Sequence, residues 1–386
     1  MAAPPKVALL IETASSYGRG LLRGIARYAR LYGPWAFFIE PGGQEEAPPP
    51  LREWGVDGII TLLRSRRQAR RILSSRLPVV DLDFTLPDAA PCGVSNDEEG
   101  VAHMAADHLL ARGLRRFAFC GWDPGDGPRS IWESARRKAF AERVRRAGFA
   151  SADYAWPKDR AWAREQKSLA RWLQSLPRPA GLMASNDQRA RHVLEAARLA
   201  GIRVPEDLAV VGVDNDEVLC ELSTPSISSV ALNTDHIGFK GAAMLDRLMR
   251  GRSVPRRAVA VPPLGVIARR STDVLAMADR DVVAAVRFMR DNLDKPLRIA
   301  DVLRVANCCR KTLETRFAAE LGRTPHEELQ RLRLERVKAL LVQTDWPLKR
   351  IAATSGFTYV ENLHAAFRRE AGTTPARFRT LHRAGG

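Results

Sequence analysis

Over the first 270 residues, short apolar runs rich in β-branched residues alternate with longer stretches whose apolar positions recur at helical spacing. The runs at 7–11, 36–39, 58–61, 79–83, 92–94, 116–120, 181–184, 209–213 and 228–230 read as strands. The stretches at 19–31, 99–112, 134–147, 167–175, 188–200 and 235–250 read as helices. Strand followed by helix is the βαβ unit, so the pattern predicts an α/β domain over 5–270 with helices covering parallel sheets. Pro48, Pro49 and Pro50 read as a loop inside this domain, because the α/β rhythm resumes at once. A last strand at 265–269 is followed by a short polar linker, 271–278, and from Asp279 onward every periodic segment is helical.

The tail carries an internal repeat. Leu313, Phe317, Glu320, Gly322, Thr324 and Pro325 recur fifty residues later as Leu363, Phe367, Glu370, Gly372, Thr374 and Pro375. Each copy has a short helix (299–305; 348–355), a turn at a small residue (Ala306; Gly356) and a longer helix (310–321; 360–371), which is the helix-turn-helix pattern. Residues four apart share one helix face, so Leu313 with Phe317, and Leu363 with Phe367, turn inward and leave the polar positions outward. Such a helix fits the major groove. Gly322 and Gly372 end the helices, and Thr-Pro starts the next segment each time.

This tail resembles the AraC/XylS DNA-binding domain, two helix-turn-helix units joined by a long helix, here 325–341; the string IAATSGFTYVENLHAAFRREAGTTPARFR carries the likeness most specifically. By register from Phe317 and Phe367, the resemblance implies groove-facing Lys311, Glu314 and Thr315 in the first unit and Val360, Glu361 and His364 in the second. Arg310, Arg316 and Arg368 are expected at phosphates, which position without specifying sequence. Glu361 repels phosphate and Val360 offers only an apolar contact to thymine, so the first helix is expected to dominate readout.

Charge changes the picture modestly. The chain carries 61 Lys and Arg against 44 Asp and Glu. From Asp279 onward the count is 21 against 13, making the tail more than twice as positive per residue as the remainder, at 40 against 31. That favours a polyanionic partner. The five cysteines show no CxxC spacing, which argues against a zinc site or a disulfide framework; the vicinal Cys308-Cys309 pair suits a turn in the first place and a redox switch in the second. No run approaches the ~20 apolar residues that span a bilayer. The N-terminus, one lysine before a five-residue apolar run and Glu12, lacks the pattern of a signal peptide, so a cytoplasmic protein is expected.

In the α/β domain, LMASNDQRARHVLEAARLAGIRVPEDLAVVGVDND and STPSISSVALNTDHIGFKGAAML resemble the effector-binding core of LacI-type repressors and periplasmic sugar-binding proteins. The resemblance implies two lobes with a ligand cleft at the carboxyl ends of the strands. Asn186 and Asp187 follow one strand, Asp214 and Asn215 another, and Thr13, Ser15, Ser16 and Tyr17 follow the first. Arg136 falls where the LacI type places an arginine for sugar hydroxyls, although Arg137 stands beside it. Asn186 and Asp214 also suit helix or turn capping, and Trp132 suits either a stacking wall or a core.

A LacI-like sensor preceding an AraC-like tail resembles the architecture of xylose operon regulators. It implies a sugar-responsive transcription regulator, an activator that works as a dimer. Its implied partners are an operator in double-stranded DNA, a small sugar such as the pentose xylose, and RNA polymerase, with no cofactor, metal or membrane. An enzyme would need a motif that is missing: neither GxxxxGK[ST] nor GxSxG occurs, and Gly18-Arg19-Gly20 lacks the third glycine of a dinucleotide site. A regulator of a different sugar or small polar ligand, and a ligand-independent architectural DNA-binding protein, stay open as alternatives.

Overall fold

Burial of the apolar runs produces two six-stranded sheets and a helical tail in a computed structural model that describes residues 3–39, 51–86, 92–122, 129–154, 162–274, 277, 279–306 and 308–382. The chain begins β1 (Lys6–Leu10), α1 (Ser16–Tyr32), β2 (Ala36–Ile39), α2 (Leu51–Trp54), β3 (Gly58–Thr61), α3 (Arg66–Leu73), β4 (Val79–Asp81) and β5 (Gly93–Asn96). It crosses through α4 (Glu98–Leu110) to β6 (Phe117–Cys120), α5 (Arg129–Arg146), β7 (Ser151–Asp153), α6 (Trp162–Ser175), β8 (Ala180–Ala184), α7 (Asp187–Leu199), β9 (Leu208–Asp214), α8 (Glu217–Leu222) and β10 (Ser228–Ala231). Then α9 (Thr234–Met249) returns to the first sheet for β11 (Ala258–Val261), and β12 (Gly265–Ile267) ends on the second.

The sheet orders are β11-β5-β4-β3-β1-β2 and β12-β10-β9-β8-β6-β7. Every pairing is parallel except β10 with β12. Parallel strands are covered on both faces, which is why β3, β6 and β8 read as unbroken apolar runs rather than alternating ones. The chain passes between sheets three times, so the lobes share a hinge and their strand ends face one cleft. In the first lobe α1 and α9 approach backbone to backbone. A Cβ on Gly24 would lie 1.9 Å from Asp235 O, and one on Gly238 2.0 Å from Leu21 O. Arg27 and Asp235, 2.7 Å apart, tie the same two helices.

The predicted strands and helices occur within a few residues of their expected bounds. The edge strands β7 and β11, and helices α2, α3 and α8, were not expected. Pro48, Pro49 and Pro50 lie outside the described residues.

The tail contains α10 (Arg280–Asp291), α11 (Ile299–Ala306), α12 (Arg310–Leu321), α13 (Pro325–Gln343), α14 (Leu348–Thr354), α15 (Val360–Ala371) and α16 (Pro375–His382). Leu313 and Phe317 are fully buried with Val302, Ala306, Val286 and Met289; Leu363 and Phe367 are fully or nearly so with Ile351, Ala352, Phe357 and Val337. Each unit therefore has its own core. Thr324 and Glu327 form a reciprocal capping box at the start of α13, and Gly322 and Gly372 close α12 and α15 with φ of +67° and +64°.

Two contacts join parts that the sequence reading keeps separate. The stretch Arg270–Thr272 is a 3-10 turn whose Ser271 and Thr272 have no exposed surface, so the first two residues of the expected polar linker belong to the packed sensor. Gly356, at φ +71°, sets the turn of the second unit against the chain before α11: a Cβ there would lie 2.7 Å from Lys295 O and 2.8 Å from Leu293 O. Gly322 has comparable φ but open space around it. Gly356→Ala should therefore cost clearly more than Gly322→Ala, about 1–3 kcal/mol against about 1 kcal/mol, in chemical denaturation of the full chain. Equal costs would show that the contact carries no energy.

Candidate functional site

The strand ends of both lobes converge on a cleft of about 630 Å³. From the first lobe come Glu12, Ser15, Ser16 and Tyr17 after β1, Arg64 after β3, Asp83 after β4, and Asn96 and Glu98 at the end of β5. The second lobe supplies Trp122 after β6, Trp132 and Arg136 from α5, Asn186 and Asp187 after β8, and Asp214 and Asp216 at the end of β9. Six lining carboxylates face three lining guanidiniums, those of Arg19, Arg64 and Arg136. An anionic ligand would meet net repulsion; a neutral molecule with many hydroxyls finds donors and acceptors.

Arg136 organises the site. Its side chain is 3% exposed, bonds to Glu98, donates from Nη1 to Ser185 O at 2.7 Å and lies 4.6 Å over the Trp132 ring. Burial alone would lower this guanidinium, but Glu98 and Asp214 outweigh it and hold it above the ordinary arginine value. Burial also pushes the Asp214 carboxyl up to about 7 despite Arg136, and Asp81 and Glu133 likewise to about 7. Among the described residues nothing hydrogen-bonds to the Asp214 carboxylate, so its acceptors are open to a ligand. Asp214 and Asn215 hold left-handed backbone, φ +105° and +51°, which costs about 1–3 kcal/mol in non-glycine residues.

Of the expected ligand contacts, Ser15, Ser16, Tyr17, Arg136, Asn186, Asp187 and Asp214 line the cleft. Thr13 and Asn215 do not. Thr13 offers its carbonyl to Arg19, and Asn215 Oδ1 accepts from Arg269 Nη1 at 3.0 Å. Three of the lining residues are largely engaged in the fold. Asn186 Oδ1 caps α7 through Arg189 N at 2.9 Å and accepts from Trp122 Nε1 at 3.4 Å. Asp187 accepts from Ser229 Oγ at 2.6 Å and from Asp216 N at 2.8 Å. Ser15 Oγ caps α1. Trp132 stands on the cleft wall, not in a core. The first-lobe acids Asp83 and Glu98 were not anticipated, although each stands two residues beyond the end of a strand.

In the tail, Arg310, Lys311 and Thr315 are exposed on α12, and Glu361, His364 and Arg368 on α15. Glu314 is partly exposed and held by Arg310 Nε at 2.8 Å. Two expectations fail on packing. Arg316 is tied to Asp281 and lies 3.4 Å from Asp279, so it fixes α12 against α10 instead of projecting to a phosphate. Val360 is partly buried against the second unit's core, which leaves Glu361, Asn362 and His364 as the outward residues near the start of α15. Tyr359, 65% exposed at the N-terminus of α15, is a further surface group that the repeat did not mark.

The chain matches the family model of the periplasmic binding protein-like domain over residues 106–272 and that of a helix-turn-helix domain over 302–380. It is 30% identical to the xylose operon regulatory protein of Escherichia coli strain K12, covering 98% of this chain and 97% of that one. To the protein of the same name in Haemophilus influenzae it is 31% identical, covering 97% and 98%. Among solved structures, that of the xylose-binding transcription activator XylR aligns over 98% of both chains, with a TM-score of 0.62 at 28% identity. The transcriptional regulator CelR in complex with cellobiose shares the fold at 21% identity and a TM-score of 0.55, over 69% of this chain and 84% of that one.

The raised carboxyls fix a sign for pH dependence. Asp81, Glu133 and Asp214 hold their protons up to about pH 7, whereas unfolded carboxyls release theirs near pH 4. The folded chain thus binds more protons across that window, and these groups favour folding less as pH rises through it. Asp81→Asn should flatten the fall in melting temperature between about pH 4 and about pH 7. A variant with the wild-type pH profile would exclude Asp81 as a contributor.

Proposed function

The chain belongs to the family of xylose operon regulatory proteins and is a DNA-binding transcription regulator, and from that premise we propose that a pentose, D-xylose first among them, is its effector. The observation that supports this most directly is that buried Arg136, paired with Glu98 and lying over the Trp132 ring, lines the same cleft as the Asp214 carboxylate, whose acceptors no described residue fills. A guanidinium donates to adjacent hydroxyls, a carboxylate accepts from them, and an indole covers the apolar face of a sugar ring. Asp83, Glu98 and Arg64 complete the polar lining from the opposite lobe. The excess of carboxylates disfavours sugar phosphates and acids.

In this reading the sugar bridges the lobes and favours a closed arrangement. Because the lobes carry the tail, closure selects one placement of the reading helices, a population shift with a coupling of roughly 5- to 150-fold in DNA affinity. Lys311, Glu314 and Thr315 of α12, with Glu361 and His364 of α15, read base edges, while Arg310 and Arg368 meet phosphates. The regulator acts in the cytoplasm as a dimer, recruits RNA polymerase and activates transcription.

D-xylose should raise the melting temperature of the wild type, by the equivalent of about 2.7 kcal/mol at a hundredfold excess over Kd. Asp214→Ala should weaken binding by about 10- to 150-fold, since it removes a charged acceptor. Stabilisation by none of a panel of pentoses and hexoses would sink the proposal. Arg368→Ala should lower affinity for promoter DNA evenly across sequences and reduce the slope of log K against log salt by about 1. An unchanged slope would remove Arg368 from the phosphate contacts.

A further inference from the structure

One short strand, β10, bonds both to residues at the rim of the effector cleft and to the chain segment that leads to the DNA-binding tail. Successive side chains on a strand point to opposite faces, and β10 uses that alternation at Ser228 and Ser229. Ser229 Oγ faces the cleft side, donating to Asp187 at 2.6 Å and accepting from Asn215 N at 3.0 Å. Ser228 faces the chain on its way to the tail. Its Oγ accepts from Arg269 N at 2.7 Å, bonds to Arg269 O at 3.0 Å and lies 2.7 Å from Thr272 Oγ1.

The same chain segment also touches the cleft rim directly. Arg269 Nη1 donates to Asn215 Oδ1 at 3.0 Å, gripping the strained turn whose other residue is Asp214. At its far end Thr272 Oγ1 lies 2.8 Å from His108 Nε2, and Arg112 Nε donates to Thr272 O. Arg112 in turn feels Arg290 of α10 and Arg331 and Glu335 of α13. Close by, Arg115 Nη2 donates to Ala319 O at 3.1 Å, at the end of the first reading helix. Ser228, Ser229, Ser271 and Thr272 have no exposed surface, so water does not compete for the hydroxyl contacts among them.

We propose that Arg269–Thr272 is a coupling strap, which senses the Asp214-Asn215 turn through the Asn215 side chain and fixes the tail's placement through Thr272. The proposal rests on the reading of the cleft as a sugar site and assigns its regulation. Asn215 and Thr272 are positioning residues. Neither touches the effector or DNA, and each matters only because of what it holds. The left-handed backbone at Asn215 suits this use. A turn stored in a costly conformation, and held there by a partner 54 residues away, is displaced when a ligand repositions the adjacent Asp214.

The test uses the full chain as wild type, Asn215→Gly, Thr272→Val and Asn215→Asp. Glycine keeps the left-handed backbone but removes the acceptor, valine keeps the volume but removes the hydroxyl, and aspartate restores an acceptor for Arg269. Calorimetry gives the D-xylose affinity, and hydrogen exchange reports the sugar-induced change in amide protection across α12 and α13. The expected result is D-xylose affinity no weaker than wild type in all three variants, with the exchange response lost in Asn215→Gly and Thr272→Val and retained in Asn215→Asp. A response that survives in either of the first two overturns the strap, as does a wild type that binds xylose without any change in the tail. So does a tenfold loss of affinity in both, which would make them parts of the sugar site. A wild type that binds no sugar at all overturns the effector reading, and the strap with it.

Discussion

A guanidinium with almost no access to solvent sits where the two lobes meet, and most of the sensor's chemistry follows from the need to compensate it. An unpaired buried cation would be prohibitively costly. Arg136 is therefore met by Glu98 from the start of α4, by the Ser185 carbonyl from the end of β8 and by the Trp132 face one turn earlier on its own helix. Glu98 stands at the first crossing between lobes, so the ion pair also ties α5 to the hinge. Its presence keeps Asp214 within reach of ionisation in surroundings that would otherwise neutralise it. The cleft thus holds more carboxyls than guanidiniums, and burial works against the charged form of both.

The tail was legible in the sequence almost to the residue, because a repeat supplies its own alignment. Once Phe317 and Phe367 are set inward, helix geometry fixes every other position, and the observed bounds of α12 and α15 match those expected. Where that reading failed, the deciding contact lay outside the repeat. Arg316 is claimed by Asp281, 35 residues away, and Val360 by the core beneath its helix. Periodicity sees neither.

The cleft was half legible. Residues after β8 and β9 stand out because their strands are long and apolar, whereas Asp83 and Glu98 follow short strands and look like ordinary turn or cap residues. Asn215 shows the deeper limit. Its position at a strand end is that of a ligand contact, and only Arg269, distant in sequence, turns its side chain elsewhere. Ser271 and Thr272 are likewise polar residues that pattern assigns to solvent and tertiary hydrogen bonds draw inside.

The glycine wedge at Gly356 has a bearing on the nucleic acid itself. With the turn of the second unit resting on the backbone carbonyls of Leu293 and Lys295, and Arg333 bonded to Leu297 O, the two reading helices form a ruler of fixed length and angle. A stiff ruler cannot follow a groove whose path varies with sequence. On the proposed reading of these helices the compliance falls to the double helix, and the bendability of the base pairs between the two contacted segments enters the affinity.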